Sequence, residues 1–237
     1  MAPAPSISVI IPCLNEATEI AFAVESVEDA ATDTRHEVIV VDGGSVDDTV
    51  DRVRGRVDRV LVEPGGLAAQ LNCGAGVSRA DVVFFLYADT RLPRNGLEAV
   101  LRALEDDAVV GGAFRLSFST DRPFFRFVAS LANVRNRFGL GPFGDQGIFV
   151  RRSVFEEVGG FHADRFLEDL DLVRLLRRRG HFRLLAEPIR TSTRRWQRNG
   201  VLRTTLAHFA VTLAYLFGKR YRRPKVHETI DRLRMTR

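Results

Sequence analysis

Short runs of β-branched and aromatic residues alternate with longer segments in the first part of the chain. The apolar runs are Ile7–Ile11, Glu37–Val41, Val57–Val62 and Val82–Leu86. Continuous runs of this length are typical of parallel strands that are buried on both faces of a sheet, with helices in the crossover connections. The pattern predicts an α/β fold, and we expect Pro12 to end the first strand.

The spacing of apolar residues predicts the other elements. In the first half we expect helices over 16–31 and 66–77. In the second half we expect a strand over Val109–Ser119, a helix over Pro123–Arg137, a loop and short strand over Gly144–Val150, a helix over Leu167–Arg179, a strand near Phe182–Ala186 and a terminal helix near Val201–Phe217. No Pro-, Gly- or Ser-rich linker separates the halves. We therefore expect the second half to add mixed strands to the same sheet.

Composition narrows the functional class only a little. The chain has 237 residues, with 35 Lys and Arg against 30 Asp and Glu and a formal net charge of +5. All the basic residues except Lys219 and Lys225 are arginine, which suits phosphate and carboxylate partners, although genomic base composition produces the same bias. The hydrophobic fraction of 45% excludes a disordered or fibrous protein. The arginines are scattered among acids, so we do not expect a nucleic-acid-binding protein.

The cysteines and the N-terminal sequence indicate the cellular compartment of the protein. Cys13 and Cys73 are far apart, and no CxxC spacing of the metal-binding type is present, which favours a reducing compartment. Neither a signal peptide nor an apolar run of about 18 residues is apparent. These features predict a cytoplasmic location.

Polar or glycine-rich groups follow three of the predicted strands. They are Asn15-Glu16, Asp42-Gly43-Gly44-Ser45 and Asp89-Thr90. Ligands in open α/β sheets bind outside the carboxyl ends of the strands, so these groups predict a site at one sheet edge. Helix capping by Asp42, Ser45 and Asp47 is the alternative interpretation.

Five motifs in this order resemble those of the family-two glycosyltransferases, enzymes of the GT-A fold that use sugar nucleotides. They are Ile11-Pro12-Cys13-Leu14-Asn15-Glu16, Val40-Val41-Asp42-Gly43-Gly44-Ser45, Tyr87-Ala88-Asp89, Gly159-Gly160-Phe161 and Leu167-Glu168-Asp169. Three others, Gln70-Leu71-Asn72, Gly144-Asp145-Gln146-Gly147 and Arg194-Arg195-Trp196, resemble a small bacterial branch of that family. The resemblance implies a GT-A domain over 1–200, with a nucleotide half (7–90) and an acceptor half (91–200), and a helical, basic tail over 201–237.

The resemblance also implies a donor site. Asp42 would accept a hydrogen bond from the imide N–H of a uracil-like base. Glu16 and the backbone around Pro12 would hold the base and ribose, and Arg195 would meet the diphosphate. The remaining implied nucleotide-sugar contacts are Asn15, Gly43, Ser45, Asn72 and Ala88.

A divalent cation is implied as well. Asp89 occupies the last position of the family's Asp-x-Asp signature, where a carboxylate binds Mg²⁺ or Mn²⁺ on the diphosphate. Tyr87 stands where the first carboxylate is expected, so this chain departs from the signature.

Asp169 matches the family's catalytic base. It would deprotonate an acceptor hydroxyl as that oxygen attacks the anomeric carbon, a single displacement that inverts configuration. Its neighbour Glu168 would assist or cap the helix. A purely capping role for Asp169 at a helix N-terminus is the alternative.

Acceptor contacts are the least specified. Asp145 and Gln146 are candidates for binding sugar or acceptor hydroxyls, with a simple turn as the alternative, and Trp196 is a candidate acceptor platform or a core-edge residue. Leu202 to Phe217 form an apolar stripe followed by basic residues up to Arg223. This segment suits core packing, a homodimer, or contact with an anionic membrane that carries a lipid-linked acceptor.

We therefore expect an inverting, metal-assisted glycosyltransferase with a UDP-sugar as donor. Two alternatives remain open: a sugar nucleotidyltransferase, which normally has a glycine-rich basic stretch after its first strand, and a non-catalytic protein that retained the nucleotide pocket. Asn15-Glu16-Ala17-Thr18 replaces that basic stretch here, and the intact Glu168-Asp169 pair argues against the second alternative.

Overall fold

The computed structural model describes residues 6–31, 34–162, 167–194 and 196. The strands are β1 (Ile7–Cys13), β2 (His36–Asp42), β3 (Arg59–Val62), β4 (Val82–Phe85), β5 (Thr90–Arg91), β6 (Val109–Phe118), β7 (Ile148–Arg151) and β8 (His181–Thr191). The α-helices are α1 (Ile20–Asp29), α2 (Thr49–Val53), α3 (Leu67–Gly76), α4 (Gly96–Ala103), α5 (Pro123–Arg137), α6 (Arg152–Glu157) and α7 (Glu168–Leu176), and a 3₁₀ turn covers Gly144–Gln146.

These strands form a single mixed sheet in the order β3-β2-β1-β4-β7-β6-β8-β5. The four strands of the first half, β1 to β4, are parallel, and β7 joins β4 in the antiparallel direction. This arrangement confirms the predicted α/β fold and the single sheet shared by both halves.

Both faces of the sheet are covered, as the continuous apolar strands predict. Val9 and Ile11 contribute to one core cluster with residues of α1 and α4. Ile10, which points to the other face, belongs to a second cluster with residues of α3 and α7. Successive strand residues therefore alternate between two buried layers, and polar groups are left to the strand ends.

The expectation that Pro12 ends the first strand is wrong, since β1 continues to Cys13. The carbonyl of Ile10 accepts a bond from Leu86 N, whereas the carbonyl of Cys13 accepts one from Gly43 N, so Pro12 faces the β4 side. Pairing of β1 with β4 ends at Ile10. Pro12 has no backbone N–H, but its nitrogen faces β4 beyond the end of the β1–β4 pairing, so no hydrogen bond between the strands is lost.

The buried carboxylate of Glu37 links the N-terminal ends of β1, β2 and β4. Glu37 lies beside Ser8 in the register and accepts a 2.5 Å bond from its hydroxyl, together with bonds from the backbone and guanidinium of Arg79. Burial alone would raise the pKa of Glu37, but these bonds outweigh it and lower the pKa. The ionised carboxylate thus ties the turn before β4 to the sheet.

Other bounds differ from the sequence prediction. Helix α1 begins at Ile20 rather than at residue 16, and β8 extends to Thr191 rather than ending near 186. Helices α4 and α6 and the two-residue strand β5 were not predicted. The predicted helix near Val201–Phe217 lies outside the described residues. In the part of the chain that the structure describes, no helix is long and apolar enough to span a bilayer.

Candidate active site

The loops that follow β1 and β2 are linked to each other. Asn15 adopts the left-handed region (φ 54°), which Asn tolerates better than most residues. Its backbone N donates to Ser45 Oγ (2.9 Å), and its Oδ1 accepts a bond from Val46 N (3.0 Å). Glu16 N donates to Thr49 Oγ1 (2.7 Å). These bonds join two predicted site segments into one rim at the carboxyl edge of the sheet.

Asp42, at the end of β2, is surrounded by donors. Its Oδ2 accepts bonds from the backbone N of Gly44 (3.0 Å) and of Ser45 (2.8 Å), and its Oδ1 accepts the Ser45 hydroxyl and lies 3.6 Å from Cys13 Sγ. Burial, followed by the charge of Asp42, raises the pKa of Cys13, so the thiol stays protonated and can donate. Three donors therefore bond the Asp42 carboxylate, while the single thiol hydrogen of Cys13 can point either to Asp42 Oδ1 or to the Val41 carbonyl, which lies 3.8 Å from Sγ.

The capping interpretation holds for only one of the three proposed residues. Asp47 Oδ1 accepts bonds from the backbone N (3.1 Å) and hydroxyl of Thr49, the first residue of α2, and its Oδ2 accepts Ala17 N (3.3 Å). Desolvation opposes these bonds, but they lower the pKa of Asp47. Asp42 and Ser45 instead bond within their own turn and make no cap to α2.

Gln70, on α3, hydrogen-bonds the C-terminal ends of both β1 and β2. Its Nε2 donates to the carbonyls of Cys13 (2.9 Å) and Val41 (2.8 Å). A Cβ on Gly43 would lie 3.1 Å from that nitrogen, so the glycine lets the amide approach closely. The sequence motif contained Gln70, but nothing in its pattern indicated this positioning role.

Asn72 bonds the loop before α7 rather than facing the rim. Its Nδ2 donates to the carbonyl of Phe161 (2.8 Å), and its Oδ1 accepts the backbone N of the same residue (2.9 Å). A Cβ on Gly160 would approach that Oδ1 to 2.6 Å. The structure therefore gives Asn72 an anchoring role, and its contact with a nucleotide-sugar stays a prediction.

Glu16 points back toward the end of β8. Its side chain is buried and forms an ion pair with Arg194, whose guanidinium also donates to the hydroxyl of Thr18. Arg194 is the neighbour of Arg195, which lies outside the described residues. The pair brings Arg194 to the same sheet edge as Asn15-Glu16.

Asp169 is held by two donors from distant parts of the chain. The Tyr87 hydroxyl lies 3.1 and 3.0 Å from its two carboxylate oxygens, and Gly144 N donates to Oδ2 at 3.0 Å. Tyr87 follows β4, and Gly144 begins the 3₁₀ turn before β7. The residue that replaces the first carboxylate of the metal signature therefore contacts the candidate base, a role that the sequence analysis missed.

The start of α7 sets the direction of the two acidic side chains. Leu167 has φ 64°, an uncommon conformation for a residue other than glycine, and it directly precedes Glu168. Glu168 is 5% exposed, whereas Asp169 is partly buried. Burial makes Glu168 poorly placed to reach an acceptor, and it leaves Asp169 as the member of the pair that faces the site.

Two of the three acceptor candidates lie in the interior. Gln146 is fully buried and donates to the carbonyl of Phe114 (2.9 Å), while its Oε1 accepts Asn136 Nδ2 (3.0 Å). Trp196 packs against Phe118 with ring centroids 5.1 Å apart in a small core cluster. Both side chains are covered by protein, and their contact with an acceptor stays a prediction.

Asp145 is partly buried and stays a predicted acceptor contact.

Asp89 and Ala88 form the turn between β4 and β5, where Ala88 is buried and Asp89 is partly exposed. Thr90 Oγ1 lies 3.3 Å from Asp89 Oδ1, and Ser192 N donates to the Asp89 carbonyl (2.9 Å). These bonds hold the Asp89 backbone two residues after Tyr87, at the edge that also presents Asp169.

A family model described as glycosyl transferase family 2 matches residues 8–159, which include both strand-end loops, Tyr87-Ala88-Asp89 and the Gly144 turn. The chain belongs to this family. The match confirms the resemblance drawn from the motifs. A comparison with curated proteins finds no match.

Several solved structures share the fold. Mannosyltransferase PcManGT from Pyrobaculum calidifontis, solved with GDP-Man and Mn²⁺, has a TM-score of 0.61 and 22% identity over 81% of this chain and 57% of its own. TarS from S. aureus, solved with UDP-GlcNAc, has a TM-score of 0.65 and 16% identity over 78% and 58%. Glucosyl-3-phosphoglycerate synthase from Mycobacterium tuberculosis, solved with Mn²⁺, UDP and glucosyl-3-phosphoglycerate, has a TM-score of 0.59 and 19% identity over 78% and 70%. The chain thus spans less than two thirds of the first two proteins.

The position that matches the Asp-x-Asp signature offers one carboxylate. Asp89 supplies it, while the Tyr87 side chain is engaged with Asp169. Within the ranges that the structure describes, no group of three His, Cys, Asp or Glu side chains is arranged to hold a metal ion. The residues fit a Mg²⁺-type ion, which often binds through one or two carboxylates and takes its other ligands from substrate phosphates and water.

Proposed function

We propose that the protein is an inverting, metal-assisted glycosyltransferase that moves a sugar from a nucleotide-sugar to an acceptor hydroxyl. The observation that carries this proposal is the geometry of Asp169, whose carboxylate is oriented by the Tyr87 hydroxyl and the Gly144 N–H at the carboxyl edge of the sheet. A single displacement needs one positioned base, which this carboxylate can supply.

Asp169 accepts the proton of the acceptor hydroxyl as its oxygen attacks the anomeric carbon. Tyr87 and Gly144 keep the carboxylate in one orientation, so that the carboxylate loses less conformational entropy when the acceptor binds. Asp89 would hold the cation, which neutralises charge on the departing nucleoside diphosphate when bound.

UDP is our proposed leaving group. Three donors bond the Asp42 carboxylate, and the Cys13 thiol is the fourth group within reach of it. A thiol is a weak donor, and when its hydrogen points to the Val41 carbonyl, Asp42 Oδ1 keeps a lone pair that can accept the imide N–H of uracil. The presence of UDP or UDP-GlcNAc in two of the similar structures supports this choice, and GDP-Man in the third makes GDP the comparison to test.

A thermal-shift series with nucleoside diphosphates and Mg²⁺ or Mn²⁺ tests the donor proposal. At 100 times its dissociation constant a ligand adds about 2.7 kcal/mol of stability, which for a chain of this size raises Tm by roughly 5–10 °C. We expect UDP to give this shift with a cation and a much smaller one without it, and GDP and ADP to give less. Equal shifts for all nucleotides, or none for any, would contradict the proposed donor.

Adding a methyl group at Gly144 is expected to reduce transfer. A Cβ there would lie 2.2 Å from Tyr87 Oη and 2.9 Å from Asp169 Oδ2, so Gly144→Ala must push both groups apart. Misplacement of a catalytic group by about 1 Å costs on the order of 100-fold in kcat. Gly76→Ala is the matched control, since a Cβ at Gly76 meets nothing within 4 Å. Wild-type kcat in a folded Gly144→Ala variant would refute the assigned geometry.

A further inference from the structure

Helix α5 and the residue after it carry an exposed apolar stripe. Five of the eight exposed large hydrophobic side chains in the described residues belong to this one segment: Phe124 (40% exposed), Phe127 (67%), Leu131 (50%), Val134 (48%) and Phe138 (76%). Their spacing of three and four residues places them on one side of the helix. A contiguous apolar patch of this kind marks an interaction surface.

The opposite side of α5 is firmly packed, so the stripe does not result from a loosely placed helix. Phe125 and Ala129 are buried in the small core cluster that contains Trp196. Asn133 also exchanges two bonds with the backbone of Leu116 in β6, at 2.8 and 3.0 Å. The helix is therefore held by one face and presents the other to solvent.

The charge of this segment is of a single sign. Helix α5 and its N-cap Arg122 contain no Asp or Glu, and the nearest acids in the sequence are Asp121 and Asp145; of the basic side chains, Arg135 stacks over the Phe143 ring at 4.2 Å. Arg122 and Arg126 are exposed. Aromatic and aliphatic residues on one side of a helix whose charges are all basic are typical of helices that lie in the interface of an anionic membrane. A second copy of the same face would bring arginines against arginines, which disfavours a symmetric dimer through α5.

We propose that the α5 stripe docks on an anionic lipid surface. Its apolar side chains enter the headgroup boundary, and the exposed Arg122 and Arg126 contact lipid phosphates. Phe138 lies six residues before Gly144, and a chain of that length spans at most about 20 Å. The N–H of Gly144 donates to Asp169, so the end of the stripe is near the candidate base. Docking brings the candidate base close to the membrane, where a lipid-carried acceptor is available. This last step rests on the proposed function, whereas lipid docking does not.

Flotation of the full chain with vesicles tests the docking. We expect binding to mixed phosphatidylglycerol and phosphatidylcholine vesicles and little binding to phosphatidylcholine alone. The triple variant Phe127→Ser, Leu131→Ser and Val134→Ser is expected to bind the mixed vesicles at least about ten-fold more weakly, because three apolar contacts with lipid are lost. The double variant Val46→Ser and Val62→Ser is the matched control, since both side chains are exposed (92% and 69%) but lie outside α5.

Two further measurements distinguish this surface from the alternatives. A second triple variant, Leu206→Ser, Phe209→Ser and Leu213→Ser, changes the apolar stripe of the C-terminal sequence instead. Analytical ultracentrifugation of all variants reports association of the chain with itself. Vesicle binding that survives the α5 triple variant, or a wild-type dimer that this variant dissociates while no vesicle is bound, would overturn the proposal. Because none of these readouts uses sugar transfer, failure of the glycosyltransferase proposal would leave the docking result intact.

Discussion

The Asp169→Asn variant is expected to lose transfer activity while it keeps its fold and its nucleotide site. General-base catalysis contributes about 10²–10⁴-fold to rate, so we expect kcat to fall by on the order of 10³-fold. The amide has nearly the same shape as the carboxylate, and its oxygen can still accept the bond from Gly144 N. It cannot, however, take the proton of an acceptor hydroxyl. Steady-state kinetics with a saturating nucleotide-sugar measure the loss, and calorimetry should show a UDP dissociation constant within about two-fold of wild type.

The matched control for this variant is Asp171→Asn. Asp171 lies in the same first turn of α7 and pairs with His162 (3.2 Å). Asp171→Asn therefore removes one negative charge from the helix N-terminus, as Asp169→Asn does. A capping carboxylate at this position is worth roughly 0.3–1 kcal/mol, which changes Tm but not the rate. If Asp169 is only a cap, the two variants should behave alike. Retained transfer by Asp169→Asn would exclude it as the base.

The Asp89→Ala variant is expected to lose the dependence of transfer on a divalent cation. A cation on the diphosphate supplies several kcal/mol of charge stabilisation, so we expect kcat/KM to fall by at least about 100-fold. Asp89 is the one carboxylate at the position of the Asp-x-Asp signature, where the Tyr87 hydroxyl contacts Asp169 instead. Titration with Mg²⁺ and Mn²⁺ after chelation should show saturation in wild type and a much weaker, nearly flat response in the variant.

An exposed acid elsewhere provides the control for Asp89. Asp51, on α2, is paired with Arg54 at the surface, and Asp51→Ala should leave the cation titration unchanged. A wild-type metal response in Asp89→Ala would show that another group holds the cation. Chelation that leaves wild-type transfer unaffected would show that the reaction proceeds without one.

The first half of the fold could be predicted well because its strands are buried on both faces. Runs such as Ile7–Ile11 and Val82–Leu86 have one interpretation once helical segments separate them. Strand β8 was predicted too short because its side chains alternate between exposed and covered positions, which weakens the apolar signal. Strand β5 has two residues and no periodicity to detect. Helix α4 had a usable signal in Leu97, Val100 and Leu104, which are three and four residues apart.

The position of the site followed from topology, but its contacts did not. Residues at the carboxyl ends of β1, β2 and β4 had to lie at one edge of a parallel sheet. The bond between Tyr87 and Asp169 joins residues 82 positions apart, and it depends on how α7 packs on the sheet. The motif containing Gln146 likewise gave no indication that this side chain points inward to Phe114.

The most direct test of the central claim is ¹H NMR of the reaction with a UDP-sugar, Mg²⁺ and a panel of hydroxyl acceptors. We predict release of UDP together with a glycoside of the opposite anomeric configuration to the donor, and neither signal with Asp169→Asn. A product that retains the donor configuration, or equal UDP release by wild type and Asp169→Asn, would contradict the account.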